Sequence, residues 1–517
     1  MLENRDAPGI GGTTVVARVT AAGEAGLAVV RVSGPAALAV ARAVAPALGA
    51  EPETHRARRT LAVWPEQPAI LGQPEQHGSP GLSGRPEPPG QPEQPGQPGR
   101  PGQQQPPPGL APGDPLDDVV VLVFRGPHSY TGEDVVEISC HGGPMSAHLV
   151  VEACLAAGAA PAGAGEFTRR AFLNGKLSLD QAEAVADLIQ AEDVLSARGA
   201  LQQLRGGLDR EIRAVERPLL ALQAELEGGL EFLEEERPAV DPRRIVAPLT
   251  SALADVERLL ALATAGRRLR DGVHVTLVGA PNVGKSSLFN ALLGEARAIV
   301  DDEAGTTRDV VTAHRDRDGV RYHLHDTAGL RSGGGRVERL GMDRTRAAVA
   351  RADVVLDLAL STAVSGGAGP DAGTAAAGIA RDGGPAPVVL RVWTQSDRLD
   401  AAPHERLRDG AGLITSARSG EGLTAVWEAI ATAAERERLV EAADLGVVLN
   451  LRHRARLARC RDELQQLVRE LESAEPPGEE VVAGWLGAAL GELGEISGRV
   501  YTERLLGEVF GRFCVGK

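Results

Sequence analysis

The apolar-alternating stretch Val273–Val278 runs directly into Gly279-Ala280-Pro281-Asn282-Val283-Gly284-Lys285-Ser286, and a helical pattern, Ser287–Gly294, follows at once. No other feature constrains the fold of this chain as strongly. The glycines let backbone N–H groups turn inward, and the start of a helix adds a dipole favourable to anions. Lys285 supplies a point charge to the outer phosphates, and the Ser286 hydroxyl can ligate Mg²⁺. A G-x-x-x-x-G-K-S loop between a strand and a helix predicts an α/β domain that cradles nucleotide phosphates.

Further signals follow in the order that guanine-nucleotide hydrolysis requires. Gly305-Thr306-Thr307-Arg308-Asp309 falls after the first helix, where a hydroxyl completes the Mg²⁺ shell and senses the γ-phosphate. Val320–His325 alternates as a strand and ends in Asp326-Thr327-Ala328-Gly329. Asp326 is expected to hold Mg²⁺ through water, and the Gly329 N–H to contact the γ-phosphate. Release of both loops after hydrolysis makes a switch. Base recognition departs from the usual Asn-Lys-x-Asp: the strand Val388–Val392 leads to Thr394-Gln395-Ser396-Asp397. Asp397 still accepts from the guanine N1–H and 2-amino groups, which adenine lacks as a pair. Gln395 cannot replace the stem and charge of Lys over the base, so weaker affinity with unaltered chemistry is expected. Ser416-Ala417-Arg418 follows the apolar Leu413-Ile414 and matches the last guanine-contacting loop. Leu330 stands where many small GTPases place a water-orienting Gln. Glu338 is then the nearest carboxylate on the helix that follows, although by its residue type alone it reads as a solvated helix charge.

At roughly 150 residues per domain, a chain of 517 residues suggests about three domains. Aromatics make up only 3%, so Leu, Val and Ala must fill the cores. A net charge of -15 gives no general attraction to nucleic acid, so RNA binding would need a local basic patch or a basic partner. Two basic runs qualify, Arg267, Arg268 and Arg270, and Arg452, His453, Arg454, Arg456 and Arg459; solvated helix faces explain them better. Cys140, Cys154, Cys460 and Cys514 lack C-x-x-C spacing, which argues against zinc and redox pairs and fits a reducing cytoplasm. The N-terminus has no apolar signal-peptide core, and no apolar run reaches membrane-spanning length, so a cytoplasmic protein without membrane partners is expected.

Residues 13–35 read as two strands around a Gly turn, Ala36–Leu48 as a helix, and Val119–Phe124 and Val135–Cys140 as strands. Residues 66–115 are rich in Gly, Pro, Gln and Glu, with GQPEQ at Gly72–Gln76 and again at Gly90–Gln94, and read as a disordered insertion in a surface loop. A second low-complexity loop covers Ser361–Pro387. Leu179–Leu262 and residues 438–517 carry helical spacing, with Pro476 and Pro477 separating two helices. Helices on both sides of an α/β segment suggest one helical domain with an insertion.

The flanks carry the more specific signature. Val29-Val30-Arg31-Val32-Ser33-Gly34-Pro35, the run Gly126–Asp134 with Glu137 and His141-Gly142-Gly143-Pro144, Gly165–Asn174 with Lys176-Leu177, and the terminal Phe513-Cys514-Val515-Gly516-Lys517 together resemble the tRNA modification GTPase MnmE (TrmE) family. The resemblance implies a multidomain α/β and α fold. Residues 10–165 form an N-terminal α+β tetrahydrofolate-binding and dimerisation domain. A discontinuous helical domain spans 166–270 and 438–517, and a Ras-like P-loop GTPase domain is inserted at 271–437. Arg31, Glu137, Lys176 and Lys517 fall where that family contacts 5-formyl- or 5,10-methylene-tetrahydrofolate. Arg and Lys suit the folate carboxylates, and Glu137 suits the pterin N–H groups. The implied nucleotide contacts are Asn282, Val283, Gly284, Lys285, Ser286, Ser287, Asp301, Asp302, Glu303, Ala304, Gly305, Thr306, Thr307, Asp326, Thr327, Ala328, Gly329, Asp397, Ser416, Ala417 and Arg418. Ser286 and Thr307 fall on the Mg²⁺ positions. Asn282, Asp301, Glu303 and Thr306 fall on the K⁺ positions, and Asp301 stands where a hydroxyl is usual. Glu338 matches the family's catalytic carboxylate, and Cys514 a family cysteine. The implied assembly is a homodimer that joins an FAD-containing MnmG (GidA)-like partner as a heterotetramer and acts on tRNA. There it adds a (carboxymethyl)aminomethyl group at position 5 of the wobble uridine at the expense of GTP. A ribosome-assembly GTPase of the Era or Der kind would need a KH-type RNA-binding domain or tandem GTPase domains, and neither is visible. A non-hydrolysing nucleotide-binding scaffold is a third reading, suggested by the altered Thr394–Asp397 motif.

Overall fold

The computed structural model describes residues 12–66, 105–231, 242–294, 311–327, 347–362, 386–398, 412–473 and 475–517. The chain forms two compact units, Met1–Ala182 with Tyr501–Lys517, and Glu183–Val500.

The first unit is built on a six-stranded sheet, β1 (Val15–Arg18), β2 (Leu27–Ser33), β3 (Arg58–Val63), β4 (Pro115–Phe124), β5 (Val135–His141) and β6 (Ala160–Pro161), in the order β3-β4-β5-β2-β1-β6. Its pairings are antiparallel except β1 with β6. Alternation sends Val30, Val32, Val119, Val121, Val123, Val136 and Ile138 to one face, where α1 (Ala37–Val44) and α2 (Pro144–Ala156) cover them. The opposite face carries Arg31 and Glu137, cross-strand partners on β2 and β5. Helix α3 (Glu166–Leu173) meets the C-terminal helix Glu503–Phe510: the Phe172 ring lies 5.3 Å from Tyr501 and 6.4 Å from Phe510.

The tail Tyr501–Lys517 therefore belongs with the N-terminal strands, not with the remainder of 438–517 as the helical spacing suggested. Leu506, Val509, Phe510 and Phe513 are buried, and that apolar surface places the tail. The stretch 66–115 also needs redrawing at its C-terminal end. Trp64 is buried, its N–H donates to Asp114 O at 3.0 Å, and Gly113 N–H donates to Trp64 O at 2.9 Å, so residues just before β4 extend the β3–β4 pairing. The repeats at 72–76 and 90–94 lie outside the described residues.

The second unit combines helices with a second sheet. After α4 (Leu179–Gln190) come α5 (Val194–Leu204), α6 (Gly207–Glu231) and α7 (Pro242–Asp271). The sheet contains β7 (Val273–Gly279), β8 (Val311–Arg317), β9 (Val320–Asp326), β10 (Val354–Leu360), β11 (Val388–Thr394) and β12 (Leu413–Ile414), ordered β12-β11-β10-β7-β9-β8 and parallel except for the β8–β9 hairpin. Helix α8 (Lys285–Leu293) follows β7, and α9 (Leu423–Ala433) follows β12. The chain then returns to helices, α10 (Arg436–Leu445), α11 (Leu451–Leu471) and α12 (Glu479–Ser497); α11 packs on both α7 and α12. The inserted α/β segment between two helical flanks is thus observed. Among the described residues no helix is long and apolar enough to cross a membrane.

Candidate functional site

The C-terminal end of β7 delivers the phosphate loop. Gly279 has φ +148°, and a Cβ there would stand 2.6 Å from Leu358 O, so only glycine passes between the two strand ends. Gly284, at φ +97°, opens α8 and leaves its first N–H groups unpaired within the helix. Lys285 is nearly buried, and its Nζ donates to Gly279 O and Ala280 O, both at 2.9 Å. Burial lowers its pKa below the ordinary lysine value, and the nearby Asp326 carboxylate works the other way. The ammonium is thus held by two loop carbonyls that phosphate oxygens can replace. Asp326 ends β9 opposite Leu277 of β7, and the Thr327 hydroxyl donates to Leu277 O at 2.7 Å. Ser286 and Ser287 are exposed on the first turn of α8. Hydroxyl and carboxylate oxygens suit Mg²⁺, which takes few protein ligands beside phosphate and water. Accordingly, no group of three His, Cys, Asp or Glu side chains able to hold a metal occurs among the described residues.

A cavity of about 180 Å³ adjoins this loop, lined among others by Gly284, Thr394, Gln395, Asp397, Ala417 and Arg418. Asp397 Oδ1 accepts from the Ser416 hydroxyl at 2.7 Å. Ser396 donates to Glu421 Oε2 at 2.9 Å and Thr415 to Glu421 O at 2.8 Å, pinning the two recognition loops to each other. Of the sequence-predicted residues, Gly284, Ser287, Asp397, Ala417 and Arg418 line this cavity and Ser416 holds Asp397, while Asn282, Val283, Lys285, Ser286, Asp326 and Thr327 lie in the adjoining loop and at the neighbouring ends of α8 and β9. Asp301, Asp302, Glu303, Ala304, Gly305, Thr306, Thr307, Ala328, Gly329, Leu330 and Glu338 lie outside the described residues.

In the first unit Arg31 and Lys176 reach the loop 126–134, while Glu137 pairs with Arg31 and the Lys517 main chain meets Phe167. Arg31 Nε and Nη2 donate to Glu137 Oε1 at 2.9 and 2.7 Å. The guanidinium lies 5.1 Å from the centroid of Tyr130 and 5.3 Å from that of Phe167. Lys176 Nζ donates to Pro127 O at 3.0 Å, and Lys517 O accepts from Phe167 N at 2.9 Å. Arg31 and Glu137, implied for different groups of the ligand, thus pair with each other here. Tyr130 and Phe167 were not read as partners of Arg31, because a charged residue in a sequence gives no hint of the rings that will flank it. Cys514 is exposed, whereas Cys140, Cys154 and Cys460 are buried, and burial pushes the thiols of Cys154 and Cys460 up to about 12.

Much of the two basic runs is not a solvated face, although Arg454 and Arg459 are exposed. Arg268 Nε donates to buried Asp353 Oδ1 at 3.1 Å and Arg267 reaches the same oxygen. Arg452 Nη2 lies 2.8 Å from Glu183 Oε2, His453 is fully buried against the same carboxylate, and Arg456 bridges Glu492 and Glu495. Carboxylates supplied by other helices, or in the case of Asp353 by the bend before β10, neutralise these cations, which the linear sequence does not show.

The MnmE helical domain family model matches residues 179–514, and the model of the GTP-binding protein TrmE N-terminus matches residues 103–176. The tRNA modification GTPase MnmE of Symbiobacterium thermophilum is 42% identical over 415 residues, covering 78% of this chain and 87% of that protein. Its counterpart from Moorella thermoacetica is 40% identical over 413 residues, covering 78% and 87%. That from Dichelobacter nodosus is 41% identical over 405 residues, covering 78% and 88%. With both family models matched and relatives of this identity aligned across most of their length, the chain belongs to the tRNA modification GTPase MnmE family.

Proposed function

We propose that this chain hydrolyses GTP to drive tRNA modification, and the observation that carries the reading is Lys285, beside Asp326 and held on loop carbonyls, next to a cavity lined by Gly284 and Asp397. Lys285 exchanges its loop carbonyls for β- and γ-phosphate oxygens. The N–H groups at the start of α8 receive the same anion, and Asp397 receives the guanine N1–H and 2-amino groups. Bound Mg²⁺, near Ser286, Thr307 and Asp326, and K⁺, near Asn282, Asp301, Glu303 and Thr306, would supply positive charge to the developing oxygens. Glu338 orients the attacking water, because Leu330 has no group that can.

The finer reading comes from family membership. The Arg31–Glu137 cluster holds a tetrahydrofolate carrying a one-carbon unit, and the N-terminal unit forms a homodimer. An FAD-containing MnmG (GidA)-like protein completes a heterotetramer in the cytoplasm, which adds a (carboxymethyl)aminomethyl group at position 5 of the tRNA wobble uridine. Phosphate release from GTP and ATP in KCl and in NaCl tests the core of this proposal. Turnover is expected with GTP and Mg²⁺, faster in K⁺, and lost in Lys285→Ala. Glu338→Ala is expected to lower kcat by on the order of 10²–10⁴-fold while sparing GTP affinity. Equal rates in the two salts would remove the K⁺ site, and no GTP turnover in any salt would remove the enzyme reading.

A further inference from the structure

The base-recognition motif has kept one of its duties and lost another. Thr394 ends β11 almost fully buried; its hydroxyl stands 2.5 Å from Val283 O and 3.2 Å from Ala359 O. A hydroxyl has a single proton to donate, and both neighbours are main-chain acceptors. Gln395 adopts the left-handed conformation, φ +61°, and its Nε2 donates to Asn282 O at 3.3 Å. Asn282 itself has φ +61°. Positions 394 and 395 therefore brace two consecutive phosphate-loop carbonyls, Asn282 O and Val283 O, against the end of the sheet. Asp397 lines the same cavity, its Oδ1 accepting from the Ser416 hydroxyl and its Oδ2 available to a ligand.

Two donors side by side, such as the guanine N1–H and 2-amino groups, suit that carboxylate. The five-membered ring of the purine carries the ribose, and through it the phosphates, so it points toward the phosphate loop and Thr394. The acceptor N7 on that ring needs a donor, and position 394 has none to spare. We infer that this chain reads guanine by one edge only, through Asp397, and that Thr394 and Gln395 are positioning residues for the phosphate loop that do not read the base. The inference rests on the proposal that the cleft binds guanine nucleotides.

The test is competition of GDP, 7-deaza-GDP, IDP and ADP against a fluorescent GDP on the full chain. 7-Deaza-GDP, with C–H in place of N7, is expected to bind within about twofold of GDP. IDP lacks the 2-amino donor to a charged acceptor and is expected to bind roughly 10-fold or more weakly. Thr394→Asn introduces two N–H groups, one for Val283 O and one for N7, and is expected to prefer GDP over 7-deaza-GDP by roughly 2- to 10-fold. Gln395→Ala is expected to weaken both ligands in parallel, leaving their ratio at the parental value; a change in that ratio would mean that Gln395 reads the base. Preference of the parent for GDP over 7-deaza-GDP by more than about threefold overturns the inference, and this comparison needs no variant to fold. Failure to bind any of the guanine nucleotides would instead sink the functional proposal on which it rests.

Discussion

Asp353 shows what a single residue can hold together. Its side chain is fully buried; it faces Arg267 and Arg268 from the end of α7, and its Oδ2 accepts from His274 N of β7 at 3.0 Å. Arg268 also donates to Ala434 O at 2.8 Å, just past α9. One carboxylate thus ties the last turn of a long helix to the sheet that carries the phosphate loop. Asp353→Ala leaves two guanidinium groups without that counter-charge, one of them buried. Removing one partner of such a pair costs about 3–5 kcal/mol, so the urea midpoint is expected to drop accordingly. A shift no larger than that of an exposed substitution would show that water replaces the carboxylate. At this scale the loop around Gly284 and Lys285 was legible, because its conformation follows from local geometry. The partners of Arg267 and Arg268 were not, because Asp353 lies more than eighty residues away in the chain.

Elements carry two further expectations. The ends of the segment between β3 and β4 are held together by Trp64, Gly113 and Asp114. Replacing residues 67–104 with a short linker is expected to leave the melting temperature unchanged or slightly higher, since each halving of a flexible loop lowers its closure cost by only about 0.6 kcal/mol. Extending the deletion through Pro115 removes the Trp64 contacts and is expected to lower the melting temperature; equal melting of the two deletions would deny those contacts any role. The second expectation concerns β7, β8 and β9, where His274, His314, His323 and His325 share a face. The His274 ring stacks at 5.0 Å on His323 and 5.3 Å on His325. Burial, then the neighbouring His274, push His323 down to about 4 and His325 to about 3. His314, Arg321 and Glu192 also face His323, and Arg351 also faces His325. Below the ordinary value of 6.5 the unfolded chain takes up protons that the folded sheet refuses. Stability should therefore fall from about pH 6.5 toward pH 4. His323→Gln should flatten that slope in urea titrations at pH 7.5 and pH 5, and a slope identical to the parent's would clear His323 of the effect. Among strands, β10 is not legible in sequence: VVLDLAL is apolar toward both faces, as a central parallel strand is, and such a run does not distinguish strand from buried helix.

At the scale of the molecule, Tyr501–Lys517 belongs to the same unit as the N-terminal strands. Gly165 N donates to Cys514 O at 3.4 Å, Ala164 bridges Val515, and Phe167 N donates to Lys517 O. Leu506, Val509, Phe510 and Phe513 are buried there, at about 1.5–3 kcal/mol each for large apolar side chains. Removing Tyr501–Lys517 is expected to make the N-terminal unit sensitive to limited proteolysis while Glu183–Val500 stays resistant. Equal resistance of both units would show the tail to be dispensable. The sequence by itself determined the elements whose code is local: the strand–loop–helix around Lys285, the helical spacing on both flanks, the Gly- and Pro-rich composition of the insertion and the family signature. These depend on the few residues adjacent in the chain, through backbone sterics and the period of apolar positions. Only the tertiary structure decided that Arg31 is bound to Glu137, that the basic runs are neutralised, that Thr394 serves the phosphate loop, and that the tail leaves the helical flank. Each of those outcomes joins groups far apart in sequence, and their pairing is selected by which buried charges and apolar surfaces the packed chain brings within reach.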